Sequence, residues 1–154
     1  MSKLDHQVAV VTVASKGIGA DTARTFAAEG VSVVVNYSSS REAAERVVKE
    51  IAAKGGKAIA VQADVSKEAD VVRLFAETKK AHGKVNNLVN NADAYAFSPL
   101  DGVTEDQFHR HLNVNMLGVL LAIREAVKLI GPEGDSIINF GSCVSTIHPP
   151  NSSV

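Results

Sequence analysis

Two glycines, Gly17 and Gly19, lie in a short loop between an apolar run and a stretch with helical spacing. In such a turn, backbone N–H groups can approach a pyrophosphate at the positive end of the helix. The full G-x-G-x-x-G pattern is absent, because Thr22 stands where its last small residue is expected. On their own, the two glycines are therefore compatible with a phosphate site or with a tight turn that binds nothing.

The histidines and the cysteine do not have the spacing of a metal site or of a nucleophile with its base. His109 and His111 are two residues apart, so their side chains would diverge on a helix. The chain has one cysteine, Cys143, which excludes an intramolecular disulfide and a thiolate zinc cluster and fits a reducing compartment. The sequence places no histidine where it could act as the base of a Cys143 nucleophile. We predict no metal site.

The elements that would position the glycine turn are five apolar runs separated by helical patterns. The strands are expected at residues 8–13, 31–36, 57–62, 87–90 and 136–141. We expect Ser66 to cap a helix, capping boxes at residues 39–42 and 104–107, and one long helix over residues 104–130 with a bend near Gly118. This alternation predicts an α/β fold with a doubly wound parallel sheet in the order 3-2-1-4-5. Residues 1–154 would form a single domain with its ligand at the carboxyl ends of the strands.

Composition excludes several classes of partner. With 154 residues, 45% hydrophobic content and a net charge of −1, the chain can build a core but has no field that would collect a polyanion. We therefore expect no nucleic acid partner. No apolar run approaches the roughly 20 residues of a membrane-spanning helix, and no signal peptide is recognisable. We expect no membrane partner and a cytoplasmic location.

Five short motifs, taken together and in order, resemble the signatures of the short-chain dehydrogenase/reductase family. They are TVASKGIG at residues 12–19, DV at 64–65, NNA at 90–92, NMLG at 115–118 and IINFGS at 137–142. The chain is most similar to the 3-oxoacyl-carrier-protein reductase and glucose dehydrogenase types within that family. The resemblance implies a Rossmann fold and hydride transfer between NAD(P) and a small carbonyl or alcohol substrate. It also implies a homo-oligomer.

Matched position by position, the resemblance assigns two catalytic residues and a set of cofactor contacts. Ser142 would bind the substrate oxygen, and Asn115 would hold a water in a proton relay. The cofactor-binding residues would be Thr12, Ser15, Lys16, Gly17, Ile18, Gly19, Asn36, Ser38, Arg41, Asp64, Val65, Asn91 and Ala92. The family's Tyr-x-x-x-Lys motif is absent from the sequence and would begin just past Val154. The C-terminal part of the fold is therefore expected to be missing.

Two residues depart from the family's motifs. Val13 occupies the first glycine position of the turn, where glycine readily reaches a positive φ and a β-branched residue does not. Asp93 replaces the glycine of N-N-A-G and would place a carboxylate near the cofactor ribose and phosphates. Weak cofactor binding is the expected consequence, and it leaves an alternative function open: a catalytically inactive Rossmann chain that binds nucleotide weakly or serves as a scaffold.

The charges beside the turn favour NADP over NAD. NAD-specific sites place an acidic residue near the end of the second strand, where this chain has Asn36. Lys16 and Arg41 supply positive charge for a 2′-phosphate.

Overall fold

The computed structural model describes residues 4–132, 135–142, 147 and 150. Strands β1 (Val8–Val11), β2 (Ser32–Tyr37), β3 (Lys57–Gln62), β4 (Asn87–Asn90) and β5 (Ser136–Asn139) alternate with helices. The helices are α1 (Gly17–Ala28), α2 (Arg41–Ala53), α3 (Glu68–His82), α4 (Glu105–Leu112) and α5 (Gly118–Ala126). A short 3₁₀ helix covers Leu100–Gly102, and a π-helix, Asn113–Leu117, joins α4 to α5. Cys143 lies outside the described residues.

The five strands form one parallel sheet in the order β3-β2-β1-β4-β5. The predicted α/β class and strand order are confirmed. β1 lies in the centre, with Val10 beside Val34 of β2 on one side and Leu88 of β4 on the other. The strand order reverses at β1, because β2 and β3 lie on one side of it and β4 and β5 on the other. The carboxyl ends of β1 and β4 therefore bound the crevice where such folds bind ligands.

Two apolar clusters cover the two faces of the sheet. One joins α1 and α2 to β1 and β2 through Ala23, Ala27, Ala44, Val47 and Ile51. The other packs α3 and α5 on the opposite face, with Val71, Leu74, Phe75, Leu121 and Ala122. Valines in the strands are buried on both faces, which explains why β1 and β2 lack polar alternation. Among the described residues, no helix is long and apolar enough to cross a membrane.

Several predicted element boundaries were wrong. β1 ends at Val11, because Val13 adopts a φ of +49°, outside the β region. β5 ends at Asn139, although the Phe140 N–H still bonds to the Asn90 carbonyl. The long helix ends at Ala126 and is interrupted by the π-helix, which ends directly before Gly118.

The predicted helix caps had mixed outcomes. Thr104 is the N-cap of α4 and accepts a hydrogen bond from the Gln107 N–H at 3.2 Å. Ser66 does not cap α3: Lys67 is the N-cap, and the Ser66 hydroxyl donates instead to the Asp64 carboxylate. Ser40 is the N-cap of α2 but makes no capping bond with its side chain.

Candidate functional site

A polar cleft of about 540 Å³ lies at the carboxyl ends of the strands. It is lined by Val13, Ser15, Lys16, Ala92, Arg110, Val114 and residues 38–40, 63–66 and 93–94. A second depression, of about 640 Å³, lies at the opposite end of the sheet beside Gln7, Lys84 and Asp135, which precede β1, β4 and β5. Ligands of open α/β sheets bind outside the carboxyl ends of the strands, so the first cleft is the candidate site although it is the smaller.

The turn after β1 is supported by the side chain of Asn36. Its Oδ1 accepts a hydrogen bond from the Val13 N–H at 3.1 Å, and its Nδ2 donates to the carbonyls of Val61 and Ala63 at 3.2 and 3.1 Å. Asn36 is 0% exposed. Its amide therefore connects the ends of β1, β2 and β3 from inside the protein, and it does not line the cleft as a cofactor contact would.

The start of α1 has open backbone donors. Lys16 is the N-cap and its side chain makes no capping bond, and the first turn contains no acidic residue. Gly17 has a φ of +55°, and a Cβ atom built on it would meet no atom within 4 Å. The first N–H groups of a helix lack intrahelical partners, so this uncapped terminus beside open space fits a pyrophosphate.

Gly19 has a different function, which is close packing. A Cβ atom at this position would lie 2.5 Å from Nδ2 of Asn91 and 2.8 Å from the carbonyl oxygen of Val13. Any side chain would therefore push the helix away from the loop that follows β4.

Thr12 and Asn91 join the loops that follow β1 and β4. The Thr12 hydroxyl oxygen accepts hydrogen bonds from the N–H groups of Asn91 and Ala92, both at 2.9 Å. The Asn91 side chain donates in return to the carbonyls of Thr12 and Val13 at 3.0 and 3.3 Å. This network holds the crevice between the two strands at a fixed width.

The segment after β3 presents a fixed carboxylate. Asp64 accepts hydrogen bonds from the N–H and hydroxyl of Ser66 at 3.0 and 2.7 Å, while its own N–H donates to Asp70 at 2.9 Å. That bond, followed by the one from Arg73, lowers the pKa of Asp70 below its ordinary value. The ionised Asp70 thus holds Asp64 at the edge of the cleft.

Asn115 lies in the π-helix and is tied to the loop after β4. Its Oδ1 accepts from the Ala94 N–H at 2.9 Å, and its Nδ2 donates to the Ala94 carbonyl at 2.8 Å. Single π-helical turns inside longer helices occur frequently at functional sites. Ser142 follows β5, the strand next to β4, and is exposed. Both residues therefore lie toward the carboxyl end of the sheet.

Known proteins are similar to this chain in sequence. The family model described as short chain dehydrogenase matches residues 7–154. The chain belongs to the short-chain dehydrogenase family. An uncharacterized oxidoreductase of Methylorubrum extorquens is 50% identical over 154 residues, which are 100% of this chain and 62% of that protein.

Solved structures of short-chain dehydrogenases superpose closely on this chain. A short chain dehydrogenase from Burkholderia cenocepacia in complex with NADP has a TM-score of 0.92 at 37% identity, covering 98% of this chain and 61% of that one. A blue fluorescent protein from a metagenomic library, in complex with NADPH, has a TM-score of 0.92 at 35% identity, covering 99% and 62%. The chain thus spans about three fifths of the length of these relatives.

The cleft brings together six of the predicted cofactor residues. They are Ser15, Lys16, Ser38, Asp64, Val65 and Ala92. Thr12, Asn36 and Asn91 lie behind the lining as supports, and Gly17, Ile18 and Gly19 form the first turn of α1. Arg41 lies on α2, where Glu45 binds its guanidinium at 2.7 Å; that hydrogen bond raises the pKa of Arg41.

The sequence reasoning missed Arg110 and Val114, which line the cleft from α4 and the π-helix. They are four residues apart, and on a helix that spacing places two side chains on one face, but neither belongs to a quoted motif. Among the described residues, no three His, Cys, Asp or Glu side chains are grouped so that they could hold a metal ion.

Proposed function

We propose that the chain is the cofactor-binding part of an NADP(H)-dependent oxidoreductase that acts on a small carbonyl or alcohol substrate. The observation that carries this proposal is the uncapped start of α1, which opens onto a cleft between the carboxyl ends of β1 and β4. Its donors suit a pyrophosphate, and the cleft, at about 540 Å³, has the volume of a small-molecule site. The bound nicotinamide would supply the hydride.

NADP is the cofactor that the charges of the cleft favour. Lys16 lines the cleft and has no ion pair among the described residues, and Ser38, Ser39 and Ser40 place hydroxyls beside it where an NAD site would have a carboxylate. Arg41 could assist a 2′-phosphate only by leaving Glu45. The NADP and NADPH complexes of the two solved relatives support the same choice.

The catalytic residues we propose are Ser142, which would hydrogen-bond the substrate oxygen, and Asn115. Both polar atoms of the Asn115 side chain already bond to the Ala94 main chain. Asn115 would therefore contribute to a proton relay through its main chain in the π-helix. The sequence contains no Tyr-x-x-x-Lys pair, and neither Ser142 nor Asn115 can donate a proton to the substrate at neutral pH as a general acid would. We therefore expect these 154 residues alone to bind cofactor without reducing a carbonyl. We also propose a cytoplasmic homo-oligomer.

The alternative function, a weak nucleotide binder or scaffold, is favoured by Asp93. This carboxylate lines the cleft and has no basic partner within 4.0 Å among the described residues. An unpaired negative charge would repel the phosphates of a dinucleotide. The two functions differ in the nucleotide affinity that they predict.

Titration calorimetry with NADPH and NADH tests the proposal. We expect NADPH to bind more tightly than NADH, and Lys16→Ala to weaken NADPH about ten-fold while changing NADH much less, because a charge-assisted contact to the 2′-phosphate is lost. Lys80→Ala, an exposed lysine on α3, is the matched control. If neither NADPH nor NADH bound, the proposal would be overturned and the scaffold function favoured.

A further inference from the structure

Arg110 lies at the mouth of the cleft and has no ion-pair partner in the part of the chain that the structure describes. It lies in the last turn of α4, is exposed, and lines the same cleft as Lys16 and Asp64. No carboxylate lies within 4.0 Å of its guanidinium among the described residues, whereas the neighbouring His109 is paired with Glu105. Its side chain is therefore available to a ligand.

The wall beside Arg110 is apolar. Ala63 and Val65 are buried, and Ala92 and Val114 pack against the same cluster, on the α3 and α5 face of the sheet. All four residues also line the cleft. A flat, apolar ring face would cover this wall, and the Asp64 carboxylate at its edge can accept a hydrogen bond from an exocyclic amine.

We propose that Arg110 contacts the adenine ring of the dinucleotide, with its guanidinium beside Val114 against the ring face that covers the apolar wall. This inference rests on the proposed nucleotide binding. A guanidinium is planar and stacks on aromatic faces, which an ammonium does less well. Arg110 precedes Val114 by four residues, so both side chains can reach one side of the same ring.

The phosphates are less suitable partners for Arg110. The glycine turn opens at the start of α1, which packs on the other face of the sheet, in the cluster of Ala23 and Ala27. The pyrophosphate would therefore lie on the α1 side of the crevice, and the adenine on the side of Val65 and Val114. The contact between Arg110 and adenine would also increase the affinity for the dinucleotide, which repulsion between Asp93 and the phosphates decreases.

The test compares ADP-ribose, NADH and NADPH, which all contain adenine, by titration calorimetry of the intact chain. We expect Arg110→Ala to weaken all three about two- to five-fold, the usual range of an exposed cation–π contact. Arg110→Lys should lose most of the same affinity, because it keeps the charge and removes the plane. Arg46→Ala, an exposed arginine on α2, should change none of them.

Four results would overturn the proposal. A loss confined to NADPH would place Arg110 at the 2′-phosphate, and full affinity in Arg110→Lys would indicate a role for charge alone. A loss that disappears in the Asp93→Asn background would mean that Arg110 only offsets that carboxylate, and unchanged binding would mean no contact. If the unsubstituted chain bound none of the three ligands, the nucleotide function itself would fail. Circular dichroism melts of each variant would confirm folding.

Discussion

The main-chain N–H of Val13 donates a hydrogen bond to the side-chain oxygen of Asn36, 3.1 Å away, and Val13 has a φ of +49°. A β-branched residue rarely adopts this left-handed conformation. The Ala14 N–H also donates a hydrogen bond to the Asn36 carbonyl at 2.8 Å. The strained turn is therefore held by both the side chain and the main chain of Asn36 in β2. The shape of the candidate phosphate loop thus depends on a residue that does not line it.

Val13→Gly is expected to stabilise the protein. It removes a backbone strain of about 1–3 kcal/mol, and the flexibility of glycine in the unfolded chain offsets up to about 1 kcal/mol of that gain. We expect the free energy of unfolding in urea to rise by about 1 kcal/mol. Val13→Ala is the control, because it shortens the side chain but keeps a Cβ at the same φ. A glycine variant less stable than the alanine variant would contradict the strain.

Asn36→Asp is expected to destabilise the protein rather than change its cofactor preference. The carboxylate would still accept from Val13, but its second oxygen would face the carbonyls of Val61 and Ala63, which now accept from Nδ2. A buried carboxylate with a single donor and two facing carbonyls costs several kcal/mol, so we expect a loss of about 2–5 kcal/mol in the free energy of unfolding.

Ser38→Asp is the matched variant on the cleft side. Ser38 is exposed and lines the cleft, so a carboxylate there remains hydrated and should leave stability within about 0.5 kcal/mol of the parent. It should weaken NADPH more than NADH in calorimetry. If Asn36→Asp were as stable as Ser38→Asp, the buried position of Asn36 would not determine its function.

The sheet could be predicted from the sequence because its strands are apolar throughout. Runs such as residues 31–35 are buried on both faces, and the right-handed crossovers leave few orders for five such strands. The π-helix was not predicted, because apolar residues that recur every three or four positions indicate a helix without resolving a single wider turn within it.

The site was only partly predictable, because hydrogen bonding decides which polar side chains face the cleft. Asn36 and Ser38 are two residues apart near the end of β2, yet the Asn36 side chain is buried and bonds to the Val13 N–H and to three carbonyls, whereas Ser38 is exposed. Arg41 was assigned to the phosphate by its charge, but Glu45 one turn later binds it. Arg110 reaches the cleft from a helix far along the chain, a contact that no local pattern encodes.

Asp70 is expected to make stability depend on acid pH. Its carboxylate accepts from the Asp64 N–H and from Arg73, which lowers its pKa from the ordinary value of 3.8. The unfolded chain therefore binds this proton more readily, so the stabilisation is complete above that value and is lost as the pH falls through the lower folded pKa.

The corresponding variant is Asp70→Asn. We expect it to lose about 1–2 kcal/mol of unfolding free energy at about pH 7, and the difference from the parent to shrink as the pH falls below the ordinary pKa of 3.8 and through the lower folded pKa, where the parent carboxylate becomes protonated as well. Asp106→Asn, an exposed aspartate in the first turn of α4, is the control and should change stability much less. A difference that did not vary with pH would exclude the ionised carboxylate as its source.

Self-association is expected through the apolar side chains that the described residues leave uncovered. Leu120 and Val127, seven residues apart along α5 and its end, are 63% and 52% exposed, and Ile138 and Phe140 at the edge strand β5 are 41% and 49% exposed. Exposed apolar area of this kind favours an interface, and an unpaired strand edge can bond to another chain. Light scattering after gel filtration should show a dimer or larger species that persists in high salt, because apolar contacts are not screened. Leu120→Glu and Ile138→Lys should each raise the monomer fraction, whereas Val72→Glu, at an exposed valine of α3, should not. A monomer at high protein concentration would contradict both surfaces, and an effect of only one substitution would identify the surface that associates.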